Sequence, residues 1–319
     1  MFWKEKPGWR QVLLEKGQVC CCPEPPWMWL FLARLTALSL LAVSLIGWLP
    51  QIWWCGLFVH FLPLYTLALL LVLPLLWRSR DRWARVVGVA ALAWNLSCLV
   101  PLWGRPAPGP PTGRVLLSNV LTSNSEPDRV LSYLQQARAD VVVLLEISPP
   151  WVVLLQPLLE QYPGQLLHPR SDNFGIALLS RQPLSQARVL GSELPWLCAD
   201  TRLAGKTVRV VAAHPPPPIS ARASELRNRI TAEVANQLQG TFVLLGDLND
   251  TPWAPSLAPL RARGRLARTG LLPSWPTMLP ALVRIPIDQC WLGGDLEMVD
   301  CQLGPGVGSD HLPLLVDLK

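Results

Sequence analysis

The sequence predicts an α/β domain preceded by three apolar, membrane-spanning helices. Three observations predict it. The apolar residues and tryptophans crowd into the first third, a proline-rich stretch divides the chain, and beyond it short apolar runs of buried-strand type alternate with helical stretches. Half of the 319 residues are hydrophobic (50%), yet eleven of the 16 tryptophans precede residue 104. Charge is equally uneven. Residues 1–113 carry 10 Lys and Arg against 4 Asp and Glu, whereas residues 114–319 carry 18 against 18, so the net charge of +6 belongs to the N-terminal part.

Residues 1–26 read as a cytoplasmic segment, 27–103 as three transmembrane helices, 104–113 as a Pro-rich linker and 114–319 as a separate soluble domain. The three apolar segments are Trp27 to Leu49, Trp54 to Trp77 and Val86 to Trp103. Each approaches or exceeds the ~20 residues that cross a hydrocarbon core, and tryptophans cluster near their ends, where interfacial belts form. Arg34 lies about two turns into the first segment, where its long stem can snorkel back to the interface. Lys4, Lys6, Arg10 and Lys16 precede the first segment, and Arg78, Arg80, Arg82 and Arg85 fill the loop before the third. The turn around Pro50 and Gln51 has no positive charge, so the positive-inside rule makes the N-terminus cytoplasmic and everything after Trp103 extracytoplasmic, a multi-pass cell-membrane protein. The polar residues before Trp27 do not resemble a cleavable signal. Of the eight cysteines only Cys198, Cys290 and Cys301 fall in the soluble domain, and Cys290 with Cys301 is the candidate bridge. The stretch Gly104-Arg-Pro-Ala-Pro-Gly-Pro-Pro-Thr-Gly113 cannot continue a helix and marks the boundary.

In the soluble domain, Arg114 to Ser118 alternates into a strand that ends on Asn119, and Asp128 to Arg138 has helical spacing with Val130, Leu131 and Leu134 on one side. Val141 to Leu145 is a continuous apolar strand that ends on Glu146, a carboxylate that needs a partner or a cation if it is buried. Asn173 and a glycine introduce a strand at Ile176 to Leu179. Thr207 to Ala213 ends on His214, and four prolines hold the exit extended. Ser220 to Leu238 is helical. It leads to Thr241-Phe-Val-Leu-Leu-Gly-Asp-Leu-Asn-Asp250, a buried strand that delivers Asp247 and Asn249 on one side. Taken alone, Gly-Asp-Leu-Asn is equally a strand followed by an Asx turn. Asp288 lies in a short strand pattern, and Asp310 with His311 precedes the final strand. A His adjacent to an Asp, with another Asp upstream, is the material for an imidazole held in one tautomer by a carboxylate, although Ser-Asp-His alone is a common surface tripeptide.

The ordered set Asn119, Glu146, the block from Asn173 to Leu184, His214, Gly-Asp247-Leu-Asn249, Ile-Asp288 and Ser-Asp310-His311 resembles the endonuclease/exonuclease/phosphatase family, and the resemblance covers about Arg114 to Leu318. It implies the DNase I-like fold, a four-layer α/β sandwich of two mixed sheets with helices outside. It also implies a Mg²⁺ ion, or Mn²⁺ in its place, held by Glu146 with Asn119 and Asp310. Asp247 would orient or deprotonate the attacking water, Asn249 and His214 would hold phosphate oxygens, and His311 paired with Asp288 would complete the phosphate clamp. A hard cation with oxygen ligands and well-placed donors suits phosphoryl transfer without a covalent nucleophile. Two departures concern substrate contacts: Gln289 stands where many relatives carry an aromatic residue or His, and Arg222 to Arg229 matches the family's Arg-containing segment only loosely.

The substrate is less legible. A nuclease carries a basic footprint for the phosphate backbone, whereas this domain is charge-balanced. Its basic cluster, Arg261, Arg263, Arg265 and Arg268, reads as a solvated helix face or as a contact for anionic headgroups. A short tether to membrane helices favours a membrane-associated phosphate ester such as a polyprenyl phosphate, with the bilayer as partner. An extracytoplasmic nuclease is the alternative, a non-catalytic membrane-anchored domain is a third reading, and no protein partner is evident.

Overall fold

The computed structural model describes residues 26–49, 52–78, 81–102, 104–268 and 270–319. The N-terminal basic residues and Cys20, Cys21 and Cys22, together with Pro50, Gln51, Arg80 and Trp103, lie outside the described residues.

The described residues of the apolar third form four α-helices: α1 (Pro26–Ile46), α2 (Gly56–Val59), α3 (Leu62–Arg78) and α4 (Arg82–Leu99). Of these, α1 is long and apolar enough to cross a membrane by itself. The turn Trp53–Val59 and α3 qualify together as a second candidate, bent by 55° at the break between them. In α4, Arg82, Arg85 and Asn95 dilute the apolar run, so the expected three spans reduce to one, or to two if the bent pair is a single span. Arg34 does not need to snorkel: its Nε donates to Asp81 Oδ2 at 2.6 Å. Asp81 also caps α4, accepting from the Trp83 and Ala84 backbone N–H groups at 3.0 and 3.3 Å, which ties the start of α4 to α1. The outer surfaces of the helices remain apolar, with Trp29, Phe31, Leu71, Leu75 and Trp77 exposed.

The described residues of the rest of the chain include twelve strands: β1 (Gly113–Asn119), β2 (Val141–Leu145), β3 (Gly164–His168), β4 (Ile176–Ser180), β5 (Ser185–Leu190), β6 (Trp196–Leu203), β7 (Lys206–Ala213), β8 (Phe242–Asp247), β9 (Arg265–Leu266), β10 (Asp288–Gly293), β11 (Met298–Leu303) and β12 (Leu314–Leu318). Between them run α5 (Pro127–Ala137), α6 (Pro149–Leu154), α7 (Gln156–Leu159), α8 (Ala221–Gln237) and α9 (Ala258–Arg261). The strands make two six-stranded sheets, ordered β11-β12-β1-β2-β4-β3 and β5-β6-β7-β8-β10-β9. Each is mixed. The pairs β1/β2 and β7/β8 are parallel, and the remaining neighbours are antiparallel.

Period-2 alternation builds the layers. Val115, Leu117, Val141, Val143 and Leu145 face inward against Val210, Ala212, Val243, Leu245 and Cys290 of the second sheet. Their neighbours Leu116, Val142 and Leu144 face outward onto Leu134 of α5 and Trp151 of α6, while Val211 and Leu244 face Ile230 and Val234 of α8. Every central strand is thus covered on both faces, which is why β2 and β8 read as unbroken apolar runs. The four-layer arrangement expected from the resemblance is present.

Several expectations change. Cys290 and Cys301 are not joined by a disulfide: Cys290 is buried in the inter-sheet core, and Cys301 Sγ is 3.1 Å from the Ala267 carbonyl oxygen. The arginine cluster is not a solvated helix face. Arg261 Nη1 donates to the Pro252 and Ala254 carbonyls at 2.7 and 2.9 Å, Arg265 Nη2 reaches the Leu296 carbonyl at 2.9 Å, and Arg268 is buried over the Trp253 ring. Strands β3, β5, β6, β9 and β11 also escape the sequence reading. The edge strand β5 is almost wholly exposed and so has no apolar signature.

The helices pack on the domain. Val59, Leu62 and Leu99 form a cluster with Trp253 and Ala254, joined by Trp48, Tyr65, Leu102 and Leu271. The break between α2 and α3 leaves the Val59 carbonyl free, and Trp253 Nε1 donates to it at 2.6 Å. His60 Nδ1 lies 3.3 Å from Thr251 Oγ1 and 3.5 Å from Asp250 Oδ1. A cavity of about 440 Å³ remains beside this contact, with Ile52, Trp53 and Val59 on one wall and Ser224, Arg227 and Asp250 on the other. From α4 the linker runs along the edge where β9 and β11 lie. Gly104 N donates to the Arg268 carbonyl, Ala107 N to Met298 and Thr112 N to Leu318, and β1 then starts at the end opposite Asn119.

Candidate active site

All the polar strand termini singled out in the sequence emerge at one end of the sandwich. The register explains it. Asn119 is level with Leu145 across the parallel β1/β2 pair, Ala213 with Gly246 across β7/β8, and Asp288 faces Asp247 across β8/β10. Gly246 is required there, because a Cβ would lie 2.3 Å from the Ala213 carbonyl oxygen. Two site residues leave their strands through left-handed backbone, Glu146 at φ 63° and Asn249 at φ 49°. Non-glycine residues adopt that conformation at a cost that surrounding contacts must cover.

Glu146 is buried, and its contacts are neutral. Asn119 Nδ2 donates to Oε1 at 3.0 Å and the Thr122 backbone N–H to Oε2 at 3.1 Å, while the Thr122 hydroxyl donates to the Glu146 carbonyl at 3.1 Å. Among the described residues no Lys, Arg or His side chain pairs with it. Asp310 Oδ2 accepts from Trp275 Nε1 at 3.0 Å, whereas its buried Oδ1 has no hydrogen-bond partner. A buried carboxylate without a counter-charge and a second carboxylate oxygen left over are what a hard, oxygen-seeking divalent cation requires. The residues present therefore fit such an ion at Glu146, with Asn119 and Asp310 beside it.

A second acidic group, Asp247, Asp288 and His311, also has ligand atoms within 4.8 Å of one another. Its geometry is that of an ion-pair network. His311 Nδ1 meets Asp288 Oδ2 at 2.8 Å, and its Nε2 lies 3.6 Å from Asp247 Oδ2. Burial alone lowers the pKa of His311, but the Asp288 and Asp247 carboxylates outweigh it and raise the imidazole to about 10. An imidazolium has no lone pair for a metal. Asp247 moves the other way. Burial raises it, but His311 and His214, whose Nε2 is 3.4 Å from Oδ2, together with the Asn249 N–H bonded to Oδ1 at 2.9 Å, hold it at about 2. Asn119 Nδ2 reaches the same carboxylate at 3.5 Å and so links the two clusters.

His214 and Asn249 complete the site. Phe174 lies against the His214 ring with centroids 5.4 Å apart, and the buried His214 Nδ1 has no hydrogen-bond partner. Asn249 Nδ2 donates to the Pro215 carbonyl at 3.0 Å, which joins the β8 exit to the β7 exit.

Family comparison agrees with this geometry. The model of the endonuclease/exonuclease/phosphatase family matches residues 92–311, well over half of the chain. The chain belongs to that family. It is thus a metal-dependent hydrolase acting on phosphate ester bonds, as the family's members are. Solved structures share its DNase I-like fold. An endonuclease/exonuclease/phosphatase protein from Beutenbergia cavernae is 21% identical with a TM-score of 0.52, covering 65% of this chain and 71% of its own. One from Bacteroides vulgatus is 17% identical with a TM-score of 0.54, covering 65% and 98%. D. rerio TDP2, solved with a single-strand DNA product, is 16% identical with a TM-score of 0.52 and the same coverage. No curated protein matches the chain.

Within this family site, the eight residues named from the sequence, Asn119, Glu146, His214, Asp247, Asn249, Asp288, Asp310 and His311, converge at one end. The sequence reading missed Thr122, Trp275 and Phe174, which hold Glu146, Asp310 and His214. Thr122 and Trp275 sit in no motif, and Phe174 lies within the Asn173 to Leu184 block without having been singled out. Gln289 and Arg227 prove to support the site from behind: Gln289 Nε2 donates to the Asp250 carbonyl at 2.6 Å, and buried Arg227 pairs with Asp250 at 3.1 Å and donates to the Asn249 carbonyl at 3.3 Å.

Proposed function

We propose that the protein is a membrane-anchored, Mg²⁺-dependent phosphoester hydrolase whose substrate is a lipid-linked phosphate such as a polyprenyl phosphate. The observation that carries the reading is the packing of the apolar helices on the loop Asp250 to Trp253, which directly follows Asp247 and Asn249. The exposed apolar surface of α1 and α3, the candidate spans and the basic residues on their flanks support a membrane anchor, and in the single-span arrangement with a cytoplasmic N-terminus the site lies outside the cytoplasm.

In this reading Glu146, Asn119 and Asp310 hold Mg²⁺, which when bound polarises the phosphoryl oxygen as a Lewis acid. The remaining work falls to the chain. Protonated His311, fixed by Asp288, donates a hydrogen bond to a phosphoryl oxygen and takes up charge developing in the transition state. His214 and the Asn249 carboxamide bind further phosphate oxygens. Asp247, held near 2, takes up a proton reluctantly, so its part is to fix the attacking water in line.

The test uses the full chain in detergent, because excising the domain would expose Trp253. Phosphate release from a polyprenyl pyrophosphate and nicking of plasmid DNA are measured side by side, with and without Mg²⁺. Metal-dependent turnover of the lipid is expected. Nicking of the plasmid alone would replace this reading with that of an anchored nuclease.

A further inference from the structure

We infer that the catalytic mouth is turned toward the bilayer and that its apolar rim inserts among the lipid headgroups. The inference rests on the membrane-anchored reading above and adds an orientation and a contact surface to it.

The course of the chain sets the orientation. The helices meet the domain through one end of their bundle, the turn from Trp48 to Leu62 and the last turn of α4 at Leu99 and Leu102. The contacts on the domain are Asp250, Thr251, Trp253, Ala254 and Leu271, of which all but Leu271 lie within seven residues of Asp247. The linker then leads away along the sheet edges to Leu318, and β1 returns the full length of the sheet to place Asn119 back at the bundle end. A linker that merely trailed from α4 would leave the domain free to turn. This one is hydrogen-bonded at Gly104, Ala107 and Thr112.

The surface at that end has the composition of an interface with lipid. Ile219, Met278 and Leu282 are exposed by 76%, 74% and 67%. Ile219 lies in the exit from His214, two residues before Ala221, which lines the cavity against the bundle. Met278 follows Thr277, whose N–H and hydroxyl donate to the Asp310 and Ser309 carbonyls, so the loop carrying Met278 and Leu282 is fastened beside Asp310. Val153 and Leu154, also exposed, lie on the short helix that follows Glu146. Three segments leaving or approaching catalytic strand ends thus present large apolar side chains to the outside. Arg222, in the same segment as Ile219, is a highly exposed cation whose acidic neighbour, Glu193, lies 3.8 Å away and is itself exposed, so its guanidinium remains accessible to anionic headgroups. Ala221, close to Ile219 in the chain, lines the cavity against the bundle, and Leu271, in the segment leading to Met278, packs into the bundle contact, so two of the rim segments are tied to the helices that enter the bilayer.

The experiment uses the full chain reconstituted into phosphatidylglycerol-containing liposomes. Photoreactive benzoylphenylalanine is placed singly at position 219, 278 or 282, and at Arg202, which is exposed near the β6–β7 turn at the opposite end. Lipid adducts, read by mass spectrometry, are expected at the three rim positions and not at 202. Absence of adducts at the rim, or equal adducts at 202, would overturn the inference. This readout needs no turnover, so it stands apart from the outcome of the lipid-hydrolysis test. As a second measurement, the double variant Met278→Asp/Leu282→Asp is expected to hydrolyse a vesicle-embedded substrate at least about tenfold more slowly while keeping its rate on bis(p-nitrophenyl) phosphate. Equal losses on both substrates would mean that the loop only maintains the fold and would likewise overturn it.

Discussion

Replacing Asp288 with Asn tests the phosphate clamp without changing its shape. In the native site the His311 pKa rises from 6.5 to about 10. The difference corresponds to about 5 kcal/mol favouring the imidazolium at this buried position. Asp288, 2.8 Å from Nδ1, supplies the larger charge contribution, and Asp247, 3.6 Å from Nε2, supplies the next. Removing the nearer charge leaves Asp247 in place, so roughly half of that preference should remain, about 2–3 kcal/mol. Because the folded pKa of His311 is raised, its stabilising contribution is complete below 6.5 and disappears as pH rises from there through about 10. In Asp288→Asn that window narrows from above, and the alkaline limb of the activity profile moves down by about two pH units. At neutral pH the imidazolium still predominates, so kcat should fall there by only about tenfold, through loss of the carboxylate that fixes the ring. The assay is kcat against pH on a soluble phosphodiester at saturating Mg²⁺, paired with thermal unfolding over the same range. If the alkaline limb stayed where it is in the native protein, the claim that Asp288 keeps His311 protonated would be refuted.

Other perturbations address the remaining parts of the site. Glu146→Gln should keep the fold but raise the Mg²⁺ concentration needed for half-maximal activity by at least about tenfold, measured by metal titration; an unchanged requirement would move the ion elsewhere. Asp247→Asn should lower kcat by about 10³-fold or more with little effect on metal affinity, and full activity would remove Asp247 from the mechanism. Trp253→Ala deletes a buried indole and its bond to the Val59 carbonyl, and should destabilise the protein in detergent by about 3–5 kcal/mol, seen as a lower unfolding temperature.

Much of the site is legible because Asn119, Glu146, His214 and Asp247 each end or directly follow a strand whose apolar run is conspicuous. Val141 to Leu145 and Phe242 to Leu245 announce Glu146 and Asp247, and once the strands lie side by side in parallel pairs their ends must meet. What supports those residues was hidden for the opposite reason. Thr122, Phe174 and Trp275 lie in loops without periodicity, and they reach the site only because the sheets bring those loops together. The bond between His60 and Thr251 spans 191 residues, and no local pattern encodes it. The span count falls because of α4, whose tryptophans suggest a span that its arginines and Asn95 shorten; Arg34 leaves α1 long and apolar enough to cross, and its partner Asp81 is visible only in space.

The pairing of β1 with β12 bears on when the domain can form. The ion pair between Arg114 and Asp317 joins residues 203 apart, and β1, placed at the centre of its sheet, keeps one side unpaired until β12 has been synthesised. Asp310 and His311 arrive with the same late segment. The first strand of the domain waits for the last, so the sheet that carries Asn119 and Glu146, and with it the active site, closes only when the C-terminal strand has arrived, although the second sheet needs neither strand.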